Sequence, residues 1–267
     1  MIVWVTGASS GLGLHTAQAL EKAGHTVIAG ARSFHGEQKG NMYCCPLDVT
    51  SEESIRSFVQ AALRVSEKVD CLVHCAGILM LGSCEETTIA EYQKIMDTDF
   101  LGMVRMNQAV LPLMRQQKHG RIIMFSSING LLGIPFQSAY TAAKHAVEGY
   151  AECLQMEVKM FGIQVCLVEP GDHRSGSKAY RGHTSGMKAD SVYADHFLKG
   201  TGKIAHDEEN GSDPDRLGRK VAKAAAGKYL PFRLRIASAD QHLAVVLHDL
   251  LPPSLNHRIL TRYYFGK

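Results

Sequence analysis

The amino-terminal segment restricts the possible folds of this chain more than any other. Residues 2–6 form a short apolar run, Ile-Val-Trp-Val-Thr, that leads directly into the turn Gly7-Ala8-Ser9-Ser10-Gly11-Leu12-Gly13 and then into a helical pattern. Glycines permit backbone shapes that are closed to other residues, and they let an anion approach the N–H groups at a helix amino terminus. The order of strand, glycine turn and helix therefore predicts a pyrophosphate site rather than an ordinary tight turn. Its spacing, Gly-x-x-x-Gly-x-Gly, differs from the commoner Gly-x-Gly-x-x-Gly.

Strand and helix patterns alternate along most of the remaining chain. Apolar runs predict strands at 26–30, 70–74, 121–125 and 163–168, and periodic segments predict helices at 51–67 and 86–118 and around position 140. Alternation of this kind favours an α/β fold, in which a parallel sheet is covered by helices on both faces. With 267 residues, 45% hydrophobic content and no linker-like boundary, the chain is expected to form a single doubly wound, Rossmann-type domain over residues 1–267.

Tyr140 and Lys144 lie four residues apart in a segment with helical character, which places both side chains on one helix face. A phenol has an ordinary pKa of about 10, and a neighbouring positive charge lowers it by stabilising the phenolate. Such a pair can exchange a proton with an alcohol oxygen. Chance also produces Tyr-x-x-x-Lys on exposed helices, so its meaning depends on the rest of the sequence.

Two further features give the pair a context. Ser127 stands at the carboxyl end of the predicted 121–125 strand, thirteen residues before Tyr140, and Pro170-Gly171 follows the 163–168 strand. The carboxyl ends of parallel strands border the ligand crevice of an open α/β sheet. We therefore expect Ser127 to face the same crevice as the glycine turn.

In this order and spacing, the motifs Thr6-Gly7-x-x-x-Gly11-x-Gly13, Ser127, Tyr140-x-x-x-Lys144 and Pro170-Gly171 resemble the short-chain dehydrogenase/reductase family. The resemblance extends over essentially the whole chain, and the ending after residue 239 is similar to that of hydroxysteroid and retinol dehydrogenase-type members. It implies hydride transfer with a nicotinamide cofactor, with Tyr140 as acid/base and Ser127 orienting the reacting oxygen. Lys144 would bind the cofactor ribose and lower the Tyr140 pKa.

The expected cofactor contacts follow from the same resemblance. They comprise Gly7, Ser9, Ser10, Gly11, Leu12, Gly13, Arg32, Ser33, Asp48, Val49, Cys75, Ala76, Gly77, Tyr140, Lys144, Pro170 and Gly171. Arg32 and Ser33 follow the second strand, where an NAD enzyme would carry an acidic residue, so they favour NADP(H). Arg32 could alternatively be a solvated surface charge. Asp48, followed by Val49, resembles the family's adenine contact, and it could also cap the next helix.

The chain departs from the family pattern at two places. Asp99 occupies the position of an asparagine, and we count it with the catalytic residues. A carboxylate there would keep Lys144 charged but oppose the Tyr140 phenolate, which predicts a weaker or more alkaline proton relay. The run His74-Cys75-Ala76-Gly77 replaces Asn-Asn-Ala-Gly. Catalysis by His74 or Cys75 is not expected.

Residues 172–212 are polar and lack apolar periodicity, which predicts a functional or mobile loop, or else a disordered surface insertion. The family resemblance implies that this segment is an irregular or partly helical substrate lid. A helix at 213–228, a strand near 234–236 and a tail at 239–267 follow. The tail carries Arg258 and Arg262 among apolar residues. We expect it to pack on the domain or on another subunit rather than on a membrane, since Pro252-Pro253 interrupts any long helix.

Composition and charge exclude several other classes of protein. The net charge of +3 is small and shows no basic stripe, so nucleic acid is not an expected partner. No metal-ligand spacing occurs, and the seven cysteines lack a Cys-x-x-Cys pair and are expected to be reduced core thiols. Met1 directly precedes the first strand, so a cleavable signal peptide is not expected, and no apolar run approaches the ~20 residues that a membrane span needs. A cytoplasmic homodimer or homotetramer is predicted.

Three functions remain open from the sequence. The leading one is an NADP(H)-dependent alcohol dehydrogenase or ketone reductase for a bulky apolar substrate such as a hydroxysteroid, bile acid or retinoid. A reductase of small or acyl-carrier-bound carbonyls is the alternative within the family. A catalytically silent NADP(H) sensor comes from another class, and intact Ser127, Tyr140 and Lys144 argue against it.

Overall fold

The strands form one large sheet and a small second one. We describe residues 1–179, 181–188 and 190–266 of a computed structural model; of the predicted lid and tail, Tyr180, Ala189 and Lys267 lie outside the described residues. The strands are β1 (Ile2–Thr6), β2 (Thr26–Ala31), β3 (Gln38–Lys39), β4 (Met42–Pro46), β5 (Cys71–His74), β6 (Met80–Leu81), β7 (Gly120–Phe125), β8 (Ile163–Pro170), β9 (Gly182–His183) and β10 (Arg233–Ile236).

The large sheet has the strand order β10-β8-β7-β5-β1-β2-β4-β3. Its pairs are parallel except for the short edge pair β3–β4. The chain moves outward from β1 to β2 and later returns to pair β5 on the other side of β1. The strand order thus reverses beside the carboxyl end of β1, and such a reversal opens a ligand crevice in an open α/β sheet.

The α-helices cover both faces of this sheet. They are α1 (Gly11–Lys22), α2 (Glu52–Val65), α3 (Ile89–Met96), α4 (Gly102–Gln117), α5 (Ser138–Val158), α6 (Ala194–Glu209), α7 (Pro214–Ala226), α8 (Ala239–Leu250) and α9 (Pro253–Phe265). One core lies between the sheet and α2, α4 and α5, where Trp4 and Phe58 pack edge to face. The other lies between the sheet and the pair α1 and α7. The predicted doubly wound α/β fold is confirmed.

The predicted helix at 86–118 is wrong in one respect. A turn of π-helix, Asp97–Leu101, separates α3 from α4. A π-turn adds a residue to the helical turn and displaces the side chains that follow it, and such turns are frequent at functional sites. Asp99 lies within this turn and is fully buried.

The predicted lid contains more regular structure than its composition indicated. The helix α6 occupies much of its second half, which agrees with a partly helical lid, although the segment lacks apolar periodicity. Gly200 allows α6 to pack closely, because a Cβ there would lie 3.0 Å from the ring of Phe136. Phe136 also makes edge-to-face contacts with Phe197 of α6 and Phe265 of α9. Packing against these rings, rather than apolar periodicity, stabilises the helix.

The first half of the lid is attached to the body of the protein near α3. The strand β6 pairs with β9, and Glu91 accepts hydrogen bonds from the Thr184 hydroxyl at 2.5 Å and the Ser185 amide at 2.8 Å. The same carboxylate accepts the Thr88 amide in the capping box of α3. One side chain therefore serves both the helix and the lid.

The tail forms two helices, and Pro252-Pro253 interrupts them as predicted, since α8 ends at Leu250 and α9 begins at Pro253. The cysteine expectation is only partly correct. All seven are free thiols, but Cys84 and Cys153 are exposed, because they lie in a loop and on the outer face of α5 rather than in the core.

Candidate active site

The glycine turn between β1 and α1 leaves no room for side chains. Gly7 has φ +68°, and a Cβ on it would lie 2.6 Å from the Ala76 backbone. A Cβ on Gly13 would lie 2.2 Å from the carbonyl oxygen of Gly7. The turn therefore packs directly on the first turn of α1 and on the segment after β5, and its residues line an open cleft, as an anion site requires.

The segment after β5 forms the floor of this cleft. The Ala76 amide donates to the Thr6 hydroxyl at 3.3 Å, and His74 is hydrogen-bonded to Asn107 at 2.8 Å beneath it. Burial lowers the pKa of His74 to about 4, so the imidazole is neutral. Burial also raises the pKa of the Cys75 thiol, which disfavours the thiolate. Neither residue has the properties of a catalytic group.

Arg32, Ser33 and Asp48 line the end of the cleft beyond the glycine turn. Asp48 accepts hydrogen bonds from the Thr50 amide at 2.9 Å and the Thr50 hydroxyl at 2.7 Å. Partial burial would raise the pKa of Asp48, but these bonds and the charge of Arg32 lower it. The N-cap of α2 is Ser51, so the alternative role of Asp48 as a helix cap is wrong.

Tyr140 and Lys144 occupy one face of α5, as their spacing predicted. The Lys144 ammonium lies 5.2 Å from the centre of the Tyr140 ring and donates to the Phe125 carbonyl at 3.0 Å. Burial alone would lower the pKa of Lys144, but negative charge on Tyr140 and Asp99 outweighs burial and raises it. The lysine is thus a buried, fixed cation beside the phenol.

Asp99 supplies the counter-charge. One carboxylate oxygen is 3.5 Å from the Lys144 nitrogen, and the other accepts the Ile78 amide at 2.8 Å. Burial raises the pKa of Asp99 to about 6, although Lys144 and the Ile78 amide favour the charged form. Gly77 makes room for this carboxylate, since a Cβ on it would lie 2.9 Å from the nearer oxygen.

Ser127 lies just beyond the end of β7 and is held by its neighbours. Its hydroxyl is 3.3 Å from the Asn129 side-chain oxygen and accepts the Asn129 amide at 3.2 Å. The Asn129 side chain in turn donates to Gln137 at 2.7 Å. The sequence analysis predicted neither partner. Both lie close to Ser127 and Tyr140 in the sequence, and this proximity could have identified them. They can fix the direction of the Ser127 hydroxyl.

The far wall of the cleft comes from the lid and the tail. Pro170 and Gly171 end β8 at its edge, and Asp172 follows, hydrogen-bonded to Gln241 of α8. Burial, together with nearby Asp207 and Asp240, raises the pKa of Asp172 to about 6. Beyond these acids the wall is apolar and includes Leu132, Ile134, Ile204, Leu247, Ile259 and Leu260.

One cleft of about 800 Å³ gathers every predicted site residue. The glycine turn, Arg32, Ser33, Asp48 and Val49 line one end, and the apolar wall lines the other. Ser127, Tyr140, Lys144 and Asp99 also line it. In the part of the chain that the structure describes, no three His, Cys, Asp or Glu side chains are arranged to hold a metal ion.

Known proteins resemble this chain in both sequence and fold. The profile of the short chain dehydrogenase family matches residues 1–185. A 3-ketodihydrosphingosine reductase of Bacteroides thetaiotaomicron is 39% identical over 263 residues, which cover 98% of this chain and 97% of the relative. Dehydrogenase/reductase SDR family member 7B of Xenopus tropicalis is 27% identical and covers 94% of this chain, which spans 82% of that relative. The crystal structure of a short-chain dehydrogenase from Streptomyces avermitilis superposes with a TM-score of 0.79 at 29% identity, covering 98% of this chain and 96% of that one.

The chain belongs to the short-chain dehydrogenase/reductase family. It is accordingly an oxidoreductase that acts on CH–OH or carbonyl groups with a nicotinamide cofactor. The resemblance identified from the sequence motifs is confirmed.

Proposed function

We propose that this protein is an NADP(H)-dependent reductase that converts a long-chain apolar ketone into a secondary alcohol, with Tyr140 as the acid/base. The observation that supports this most is the order of groups along one cleft. Tyr140, Lys144 and Ser127 line it together with a nucleotide-binding end and an apolar end. A carbonyl placed beside Tyr140 could then have its apolar part against the lid and tail.

The residues of the nucleotide end fit a nicotinamide dinucleotide. The absence of side chains at Gly7 and Gly13 would let a pyrophosphate approach the backbone of the turn, and Ala76 and Gly77 keep the floor free of bulk. When bound, NADPH supplies the hydride that reduces the carbonyl carbon. Arg32 and Ser33 follow β2 without an acidic residue, and an arginine there suits the added ribose phosphate.

The protein's own residues would handle the proton. Tyr140 donates its phenolic proton to the carbonyl oxygen as the alcohol forms, and takes it back in the oxidative direction. Lys144 stabilises the phenolate by its charge, and Phe125 and Asp99 hold the ammonium in place. The Asn129 amide holds the Ser127 oxygen in place, and the Ser127 hydroxyl would turn its proton from the Asn129 side chain to the substrate oxygen when a carbonyl binds.

The substrate class rests on the apolar wall and on the relative. The Bacteroides thetaiotaomicron protein is named for 3-ketodihydrosphingosine, a long-chain ketone, and the wall that includes Leu247 and Leu260 would contact such a chain. A hydroxysteroid or bile acid is the second candidate, because the same wall would also accept a rigid apolar ring system. A small carbonyl compound, or one bound to an acyl carrier, would leave much of this apolar wall exposed to water. The cytoplasmic location and the homodimer or homotetramer stay predictions.

A substrate screen tests this function. The full chain is mixed with NADPH or NADH and a panel of carbonyl compounds, namely 3-ketodihydrosphingosine, ketosteroids, keto bile acids, the aldehyde retinal and small ketones, and absorbance at the nicotinamide band is followed. We expect reduction of a long-chain ketone with NADPH, and a loss of 10²- to 10⁴-fold in Tyr140→Phe, about what acid/base catalysis contributes. Tyr229→Phe, at an exposed position, serves as the control. Turnover confined to small carbonyls would contradict the substrate class, and full activity of Tyr140→Phe would contradict the mechanism.

A further inference from the structure

The outer surface of the two tail helices is unusually apolar. Exposed apolar side chains recur along α8 and along α9 at helical spacing, so that each helix presents one apolar stripe. We call this surface the tail face; it comprises Leu243 (56% exposed), Val246 (46%), Leu250 (75%), Leu255 (40%), Ile259 (42%) and Tyr263 (46%). Contiguous apolar patches of this kind mark interaction surfaces more often than scattered single residues do.

The inner surface of the tail packs on the domain, as the sequence predicted. Asn256 of α9 is buried and donates to the His248 and Leu251 carbonyls, which ties α9 to the end of α8. Val245 of α8 is buried in a small apolar cluster against which Tyr264 packs. Because these contacts already hold both helices in place, the exposed stripes are not needed to attach the tail.

The tail face continues into the candidate active site. Leu243, Ile259 and Tyr263 are exposed at the surface and also line the cleft. Apolar side chains therefore extend from the surface into the cleft at Leu243 and Ile259, whereas at Tyr263 the ring adjoins a polar group formed by its own hydroxyl, Asp207 and Lys203. An apolar molecule could pass from an apolar phase outside to the wall inside while remaining in contact with apolar side chains.

The positive charge on α9 favours contact with an anionic lipid surface. Arg258 and Arg262 are exposed and directly precede Ile259 and Tyr263, so helical geometry places them beside the apolar stripe. Basic side chains at the border of an apolar helix face bind anionic lipid headgroups while the apolar groups enter the interface. The α8 helix carries Asp240 and Asp249 without a lysine or arginine, so it opposes an anionic surface, and the electrostatic attraction would come from α9 alone.

We propose that the tail face docks on the surface of a lipid bilayer containing anionic headgroups, with the mouth of the cleft against the membrane. Among residues 1–179, 181–188 and 190–266, no helix is long and apolar enough to cross a bilayer, so the contact is interfacial. The delivery of an apolar ketone from the membrane to Tyr140 rests on the proposed function; the docking itself does not. This proposal replaces the expectation that the tail makes no membrane contact.

Sedimentation with vesicles tests the docking. The full chain is spun with vesicles of phosphatidylcholine alone or with about a quarter of phosphatidylglycerol, at low and high salt. We expect binding to the mixed vesicles, weaker binding to phosphatidylcholine, and release by salt. The double variant Leu250→Glu/Leu255→Glu should bind about tenfold less, because two charges would enter the interface. Neither residue lines the cleft, so turnover of a water-soluble ketone should stay unchanged.

A matched control distinguishes binding by the tail face from nonspecific adsorption through exposed apolar side chains. Met156→Glu/Met160→Glu changes two exposed apolar side chains near the end of α5 and should bind vesicles like the unchanged protein. Arg258→Ser/Arg262→Ser should lose the preference for phosphatidylglycerol but keep weak binding.

Absence of vesicle binding, or equal loss in the α5 control, would overturn the proposal. So would a tail variant that dissociates a dimer without changing vesicle binding, since the face would then join two copies. Vesicle binding without reduction of any ketone would refute the proposed function alone.

Discussion

The Asp99 carboxylate lies 3.5 Å from the Lys144 ammonium, and both side chains are almost completely buried. In a relay that needs Tyr140 to form a phenolate, this arrangement has two opposing effects. It holds the lysine charged, which favours the phenolate, and it adds a negative charge nearby, which opposes it. The π-turn that carries Asp99 fixes the carboxylate in this position.

Replacing Asp99 by asparagine should shift the pH profile of alcohol oxidation toward lower pH by about one unit. The Asp99 pKa of about 6 means that the carboxylate is charged throughout the neutral and alkaline range in which Tyr140 must act as a base. Removing that charge makes the phenolate easier to form. The measurement is kcat against pH from 6 to 10 with saturating cofactor. Asp97→Asn, in the same π-turn but paired with Arg105, is the control and should shift the profile less. An identical profile for Asp99→Asn and the unchanged protein would show that Asp99 does not tune the relay.

Asn129→Ala should lower kcat about five- to tenfold and leave the KM for NADPH unchanged, because residue 129 loses its bonds to Gln137 and Thr141 and its amide no longer holds the Ser127 oxygen firmly. Steady-state kinetics on both substrates would separate the two parameters. Asn41→Ala, at an exposed site outside the cleft, should behave as the unchanged protein. A rise in the KM for NADPH with kcat preserved would assign Asn129 to cofactor binding instead.

Gly13→Ala should abolish NADPH binding, measured by fluorescence titration, since the new Cβ would meet the Gly7 carbonyl oxygen at 2.2 Å and displace the turn. Gly149→Ala is the matched change within a helix, because a Cβ at that position meets nothing within 4 Å. It should bind NADPH normally and unfold at a slightly higher temperature, with a gain of about 0.5–1 kcal/mol from helix propensity. Normal binding by Gly13→Ala would mean that the turn can relax.

Arg32→Asp should reduce kcat/KM for NADPH at least about tenfold and raise it for NADH, because the carboxylate repels the ribose phosphate and accepts hydrogen bonds from ribose hydroxyls. Arg64→Asp on α2 applies the same charge change away from the cleft and should alter neither value. Equal losses for the two cofactors in Arg32→Asp would indicate a general disturbance rather than a specificity contact.

The sequence was sufficient to predict the central parallel strands, most of the helices and a group of residues that the structure brings to one cleft. Alternating apolar runs and glycine turns are local signals, and they placed β1, α1 and Ser127 correctly. The π-turn escaped prediction because its sequence continues the helical pattern on both sides. The α6 helix escaped because rings distant in sequence, such as Phe136, stabilise it rather than its own periodicity. Two-residue strands such as β6 are too short to show an apolar pattern in the sequence.

The interactions within the site were harder to predict from the sequence than the residues that form it. Spacing indicated that Ser127, Tyr140 and Lys144 share one cleft, but the bonds of Asn129 and the depth at which Asp99 is buried depend on packing across several elements. The exposed stripes of α8 and α9 were visible as apolar residues, yet only the fold shows which sides of these helices the domain covers.

Glu91 accepts hydrogen bonds both from the cap of α3 and from the lid, and this restricts where the lid can move. Because Glu91 accepts hydrogen bonds from Thr184 and Ser185, lifting this part of the lid would break the β6–β9 pair and leave the Ser185 amide without its partner. A substrate would more easily enter where α6 meets the tail helices, at ring contacts that can separate without exposing backbone. Evolution of a new substrate range in this chain would therefore act first on α6, α8 and α9, with residues 182–185 kept as the fixed side of the opening.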